Sequence, residues 1–266
     1  MNLPLFPLRP NSPKRIRRNG SSAIAQSHNS GIEQELTEWL GLSHSDRALL
    51  LRQQAFDRAQ QGDLAQAIDL FTLLISGNPS SASNFNNRGL LHFQQGDYEL
   101  ALADYNQALR LNPQLAKVYN NRANCYAAMG ELEAAIDDYD TAIDLDPTDV
   151  RARLNQGITF RQLELFELAI ECFELAIQFS QLINATDTMR VSSTLEGHLY
   201  AERGRTYHLL GDWNCAIADY HRALLQLPLN GERLALSQRL RKQVKNWMEE
   251  LLGPLQPVED DWQAEF

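Results

Sequence analysis

The sequence predicts an all-α solenoid of stacked helix hairpins, on three observations. Prolines stand at 79, 113 and 147, a spacing of 34 residues. An aromatic residue keeps the same ruler at Phe71, Tyr105, Tyr139 and Phe173, four places after Ala67, Ala101, Ala135 and Ala169. Another small residue recurs at Ala55, Gly89, Ala123 and Gly157. Self-similarity at such a period marks a repeat architecture, in which one unit cannot bury its apolar face alone. After a shift of 13 residues the ruler resumes at Gly204, Ala216, Tyr220 and Pro228. Five units follow, 48–81, 82–115, 116–149, 150–183 and 197–230, with an insertion at 184–196.

Each unit reads as two helices. In the second unit the first helix covers SNFNNRGLLHFQQ and stops at Gly96, because glycine takes the left-handed conformation cheaply. Asp97 opens a turn into YELALADYNQALRL, which Pro113 ends, since the residue before proline is pushed out of the α region. Gly89 and Ala101 are small where the two helices must touch, and Tyr105 and Ala108 share an inward face. The fourth unit is irregular. It has Glu164 for the turn glycine and Gln181 for the terminal proline, so its second helix is expected to run past 181 toward Asn184. Ser193 with Glu196 has the spacing of a capping box that opens a lengthened helix for the fifth unit. A groove lip and a hinge both stay open as roles for the insertion.

The small–aromatic–small–proline spacing, carried by GLLHFQQGDYELALADYNQALRLNP and AAMGELEAAIDDYDTAIDLDP, resembles the tetratricopeptide repeat family. The resemblance covers 48–230 and implies a right-handed superhelix with the first helix of each unit lining a concave groove. It implies a binding scaffold and no shared catalytic site. The NNRG and ALADY phrasing is similar to that of bacterial members, for which an assembly role is one option.

The ends fit this organisation. Residues 231–252 place Leu236, Leu240, Val244, Trp247 and Leu251 on one stripe with a charged opposite face, the form of a capping helix. Within 31–47, IEQELTEWLGL is amphipathic and is read as a front helix that caps the first unit. Residues 1–30, rich in proline, serine and basic charge, and the acidic tail 253–266 have compositions that order poorly.

The chain has 266 residues and a net charge of −10, which disfavours a nucleic-acid binder. The charge is uneven: residues 1–32 carry +5, 253–266 carry −4, and the middle is left with −11. Three cysteines, Cys125, Cys172 and Cys215, have neither metal nor redox spacing and point to a reducing compartment, hence a cytoplasmic protein. No apolar run is long enough to span a membrane. The start MNLPLFPLRP is followed by basic residues, the reverse of a secretory signal; an organelle transit segment stays open.

No phosphate-binding loop, HExxH or GxSxG is present, and the histidines are scattered, with His198 and His208 placed on the first helix of the fifth unit. The reading is therefore a chain without catalytic residues, metal or cofactor.

Two columns stand out. Arginine fills the seventh place in Arg88, Arg122 and Arg203, and aspartate the twenty-third in Asp104, Asp138 and Asp219. Units one and four have neither: Gln54 with Leu70, and Gln156 with Cys172. Charges that appear together or not at all predict three intra-hairpin ion pairs, because a buried charge that loses its partner is costly. The sixth place holds Asn87, Asn121 and Asn155 in consecutive units. An asparagine amide offers donor and acceptor, so it can pair with a peptide backbone without reading side chains. Asn86, Asn120 and Asn124 extend this set, and Arg52, Lys117, Arg151, Arg161 and Arg205 add a basic track.

By the resemblance these residues form a peptide-binding face for an extended or C-terminal segment of another protein, in an assembly factor, adaptor or co-chaperone. The family's carboxylate clamp fits in part: Arg52, Asn87 and Lys117 match its pattern, while Phe56 and Asn121 depart from it. The tail VEDDWQAEF is a second candidate ligand for the groove. Alternative readings are a nucleic-acid-associated protein using the basic arm and track, and the regulatory subunit of an enzyme. The oligomeric state is not specified by the sequence.

Overall fold

The computed structural model describes residues 43–185, 193–228 and 234–253. The arm 1–30, the front helix up to residue 42, residues 186–192 of the insertion and the tail from 254 lie outside the described residues. The described residues hold helices and no strand: α1 (His44–Gln60), α2 (Leu64–Gly77), α3 (Ala82–Gln95), α4 (Tyr98–Leu111), α5 (Ala116–Met129), α6 (Leu132–Leu145), α7 (Val150–Gln162), α8 (Phe166–Ala185), α9 (Ser193–Leu210), α10 (Trp213–Gln226) and α11 (Leu234–Leu252). They fall into two compact units that divide between Met129 and Gly130. In the first unit α1 pairs with α2 and α3 with α4, and α5 packs on α4. In the second α7 pairs with α8 and α9 with α10, α6 packs on α7, and α11 lies against α9 and α10.

Local chemistry sets the helix ends. Ser43, Asp63, Ser81, Asp149 and Asp212 each accept a backbone N–H of the first turn of the helix they precede, satisfying groups that the helix leaves unpaired. Pro79, Pro113 and Pro147 stand two residues beyond α2, α4 and α6. Between the paired helices the turn residue is left-handed. Gly96 has φ 85°, and Glu164 takes the equivalent place with φ 60°, a conformation unfavourable for a side chain bearing a Cβ.

The core is the repeating column. Ala67–Phe71–Leu74, Ala101–Tyr105–Ala108, Ala135–Tyr139–Ala142, Ala169–Phe173–Ala176 and Ala216–Tyr220–Ala223 are all buried. Each aromatic ring contributes about 1.5–3 kcal/mol by leaving water. The ring lies against the first helix of its own hairpin, which explains the small residue there. A Cβ added to Gly89 would stand 2.8 Å from Tyr105 Cε1, and one added to Gly157 2.7 Å from Phe173 Cε1.

Helix α11 closes the last hairpin. Leu240 and Val244 pack with Tyr220, Ala223 and Leu227, and Trp247 lies 6.0 Å from the Tyr220 ring. Arg241 donates to the Leu224 carbonyl and, at 2.8 Å, to that of Leu227, satisfying the carbonyls that the end of α10 leaves open.

The insertion lengthens its flanking helices: α8 runs to Ala185, and α9 begins four residues ahead of the fifth unit. Glu196 does something other than the capping-box spacing suggested. Its Oε1 accepts from Ser180 Oγ at 2.7 Å and Asn184 Nδ2 at 2.6 Å, fastening α9 to α8.

Candidate functional site

The seventh-place residues are organised by their hairpins. Arg88 donates from Nε and Nη2 to both carboxylate oxygens of Asp104, at 2.8 and 2.7 Å. Arg203 grips Asp219 in the same way at 2.6 and 2.9 Å, and Arg222 adds a third donor at 2.8 Å. Two parallel N–H···O bonds to a carboxylate are strong and directional. The Arg203 side chain is 13 % exposed and that of Asp219 1 %. The Asp219 bonds hold the Arg203 guanidinium charged against the opposing effect of its burial. Its plane also lies over the rings of Tyr200 and Tyr207. In the fourth unit a neutral pair takes the same places: Cys172 Sγ donates to Gln156 Oε1 at 3.3 Å. Burial, then Glu171, pushes the Cys172 thiol up to about 12, so it is no nucleophile at neutral pH. Arg122 belongs to the first unit, where it stacks on Tyr119 and Tyr126, and buried Asp138 belongs to the second.

Sequence reasoning missed that the same residue also bonds backwards. Arg88 Nη1 donates to Thr72 at 3.1 Å, Arg122 Nη1 to Asn106 at 2.6 Å, and Gln156 Nε2 to Asp140 at 2.6 Å. Arg203 Nη1 stands 3.7 Å from Glu174. Every acceptor is the twenty-fifth residue of the preceding repeat. The seventh place therefore ties its own hairpin shut and fastens it to the one before. The signal was a column of unlike residue types that are all acceptors.

On the first-helix face of the first unit the asparagines bond to one another. Asn121 Nδ2 donates to Asn86 Oδ1 at 2.9 Å, and Asn86 Nδ2 to Asn87 Oδ1 at 3.4 Å. All three are half-buried. Arg52 Nη2 reaches the buried Asn84 Oδ1 at 3.4 Å, and Lys117 is exposed. Asn120 and Asn124, half-buried, lie on α5 beside them. The unit's face thus has two cations, a row of amides and no carboxylate at the positions that bear the asparagines.

In the second unit Arg151 and Asn155 lie half-buried on α7, and the Asn155 carbonyl accepts from Thr159. Arg161 and Arg205, expected to meet a partner, are engaged inside the fold. Arg161 pairs with Glu202 at 2.6 Å and donates to the Glu202 carbonyl at 3.0 Å. His198 contacts the other Glu202 oxygen at 3.1 Å. Burial works against the Glu202 carboxylate, but Arg161 and His198 outweigh it and hold the group at about 2. Arg205 bonds Glu250 of α11 at 2.9 Å and lies over the Trp247 ring. His208 meets Tyr220 Oη at 3.2 Å, and burial with nearby Arg205 lowers its pKa. The partners stand 41 and 45 residues from the two arginines, outside the 34-residue period, so periodicity carried no sign of them.

Family models match over this stretch: a TPR repeat model at 89–130, and tetratricopeptide repeat models at 116–149 and 150–181. The chain carries tetratricopeptide repeats. Solved tetratricopeptide structures share the fold. A thermophilic TPR protein of Thermus thermophilus is 16 % identical, with 76 % of this chain and 98 % of that chain covered at a TM-score of 0.60. MamA of Desulfovibrio magneticus, from residue 41 to its end, is 16 % identical, with 73 % and 97 % covered at 0.55. A further MamA crystal structure is 19 % identical, with 65 % and 93 % covered at 0.53. No curated protein matches the sequence. The fold class is therefore the all-α tetratricopeptide solenoid. No described helix is long and apolar enough to cross a membrane.

Proposed function

We propose that this chain is a non-catalytic scaffold that holds an extended segment of another protein against the first helices of its repeats. Assembly factor, adaptor and co-chaperone are the roles this fits. The tetratricopeptide repeats support the general reading. The observation that carries the specific one is the amide row of Asn121, Asn86 and Asn87. Its internal bonds orient the side chains in advance, which lowers the entropy lost on binding. The Asn87 amide N–H groups and the Asn121 carbonyl oxygen have no partner among the described residues. They are a donor and an acceptor of the kind a neutral peptide group completes. In the second unit the engaged Arg161 and Arg205 leave the rear of the basic track already neutralised.

A displayed library of extended peptides, panned against the purified chain, tests the reading. Peptides retained by the wild type should bind about tenfold more weakly or worse when Asn87 and Asn121 are both alanine, as expected for loss of about two hydrogen bonds. Far-UV circular dichroism should be unchanged. Equal retention by both proteins, or no enrichment by the wild type, refutes it.

A further inference from the structure

The hairpin ends of the fourth and fifth repeats carry exposed apolar side chains close together. Leu165 precedes α8 and Leu168 stands in its first turn. Leu209 and Leu210 end α9, and Trp213 opens α10. Trp213 is 63 % exposed and the four leucines 42–48 %. They share one end of the second unit. Across the α8–α9 seam Glu174 meets Tyr207 and Gln181 meets Tyr200, so seven residues forward on one helix match seven back on the other. One more such step brings the first turn of α8 beside the α9–α10 turn. In the first two repeats the places of Leu209 and Leu210 hold Gln60, Gln61, Gln94 and Gln95.

Local folding does not account for this surface. The place of Leu165 is an acid in every other hairpin, Asp63, Asp97, Glu131 and Asp212, and Asp63 and Asp212 cap their helices with it. A leucine side chain accepts no N–H, so α8 starts without that bond. Glu164 beside it holds the left-handed turn that glycine fills in the other hairpins. Two residues that local structure disfavours thus adjoin the apolar patch, as happens where a sequence serves contact with something else. Single exposed leucines need no explanation, but a patch centred on a tryptophan marks an interaction surface.

The charges select the occupant. Glu164, Glu167 and Asp212 are exposed and adjoin Leu165, Leu168 and Trp213 in the chain. Arg161 and Arg205, near the same end of α7 and α9, are bonded to Glu202 and Glu250. A second copy would set the three acids against their own equivalents, and an anionic membrane surface would also oppose them. Cations set among apolar side chains complement the surface. We propose that this end of the second unit docks an amphipathic cationic segment of another protein. Its large apolar side chains cover Trp213 and the leucines, and its lysines or arginines meet the three acids.

The test is a displayed library of random peptides panned on the full-length chain, with counter-selection on the double variant Leu165→Ser with Trp213→Ser. Both replaced side chains are exposed, so far-UV circular dichroism of the variant should match the wild type. Surviving peptides should combine large apolar residues with an excess of lysine or arginine, and should bind more weakly as salt is added. The double variant should bind them about tenfold more weakly or worse. The variant Asn87→Ala with Asn121→Ala should bind them as the wild type does, which separates this surface from the amide row. Leu165→Asp restores a capping acid, so it should raise the melting temperature while weakening these peptides. No surviving peptide, survivors without a basic excess, or full binding by Leu165→Asp overturns the proposal. Self-association of the wild type in sedimentation velocity, abolished by Trp213→Ser, also overturns it and assigns the surface to a second copy.

Discussion

Replacing Asp219 by leucine removes the carboxylate that Arg203 grips with two bonds. The guanidinium stays behind in a site where its side chain is 13 % exposed. Breaking a buried pair from one side costs about 3–5 kcal/mol. Some of that is offset here. Glu174 remains 3.7 Å away, and the Tyr200 and Tyr207 rings still face the cation. The Arg222 bond contributes little, since that side chain is 55 % exposed. A loss of about 3 kcal/mol is expected. The double replacement Arg203→Gln with Asp219→Leu reproduces the Gln54–Leu70 composition of the first repeat and leaves no orphaned charge. It should cost about 1–2 kcal/mol, so the cycle should show the second substitution repairing part of the damage of the first. Urea unfolding followed by far-UV circular dichroism measures all four proteins. If Asp219→Leu costs less than about 1 kcal/mol, or the double variant is no more stable than the single, the pair is not the coupled unit described.

Glu164→Gly relieves the left-handed strain at the α7–α8 turn and should stabilise the protein by about 1 kcal/mol, read as a rise in melting temperature. The Glu202 carboxylate lies below its ordinary value of 4.5, at about 2. Its contribution is therefore fully present above pH 4.5 and is lost as pH falls toward 2, so Glu202→Gln should flatten the stability–pH curve in that window. Gly204→Ala would bring a Cβ to 2.9 Å from the Tyr220 ring and should cost about 1–3 kcal/mol in urea unfolding. Among the described residues the buried Tyr105 hydroxyl has no hydrogen-bond partner, whereas Tyr139 has Thr159 twenty residues on; Cys125→Thr supplies the equivalent group to Tyr105 and should stabilise by about 0.5–1.5 kcal/mol in the same assay.

The hairpins were legible because a helix pair must repeat its small and aromatic residues where its two axes touch. Gly89 against Tyr105 and Gly157 against Phe173 are such contacts, and residue type alone exposes them. The Arg88–Asp104 pair was legible for a related reason: two charges that need each other vary together. The backward bonds were harder to see, since Thr72, Asn106, Asp140 and Glu174 share a capacity to accept and no common identity. Arg161 and Arg205 lay beyond the periodic reading altogether. Glu202 and Glu250 come from helices that meet these arginines only once the chain has folded, and a ruler of 34 residues has no mark at those separations.

The seam between α8 and α9 shows what this wiring permits. Thirteen extra residues enter the chain there, yet Arg203 finds Glu174 in the register that its counterparts keep without any insertion. Ser180 and Asn184 hold Glu196 across the same boundary. Neighbouring repeats are thus addressed to each other by their side chains, and the covalent link between them is relieved of that duty. A chain built this way can acquire new sequence at its junctions, loops of any composition included, while the stacking order of its modules stays written in the helices themselves.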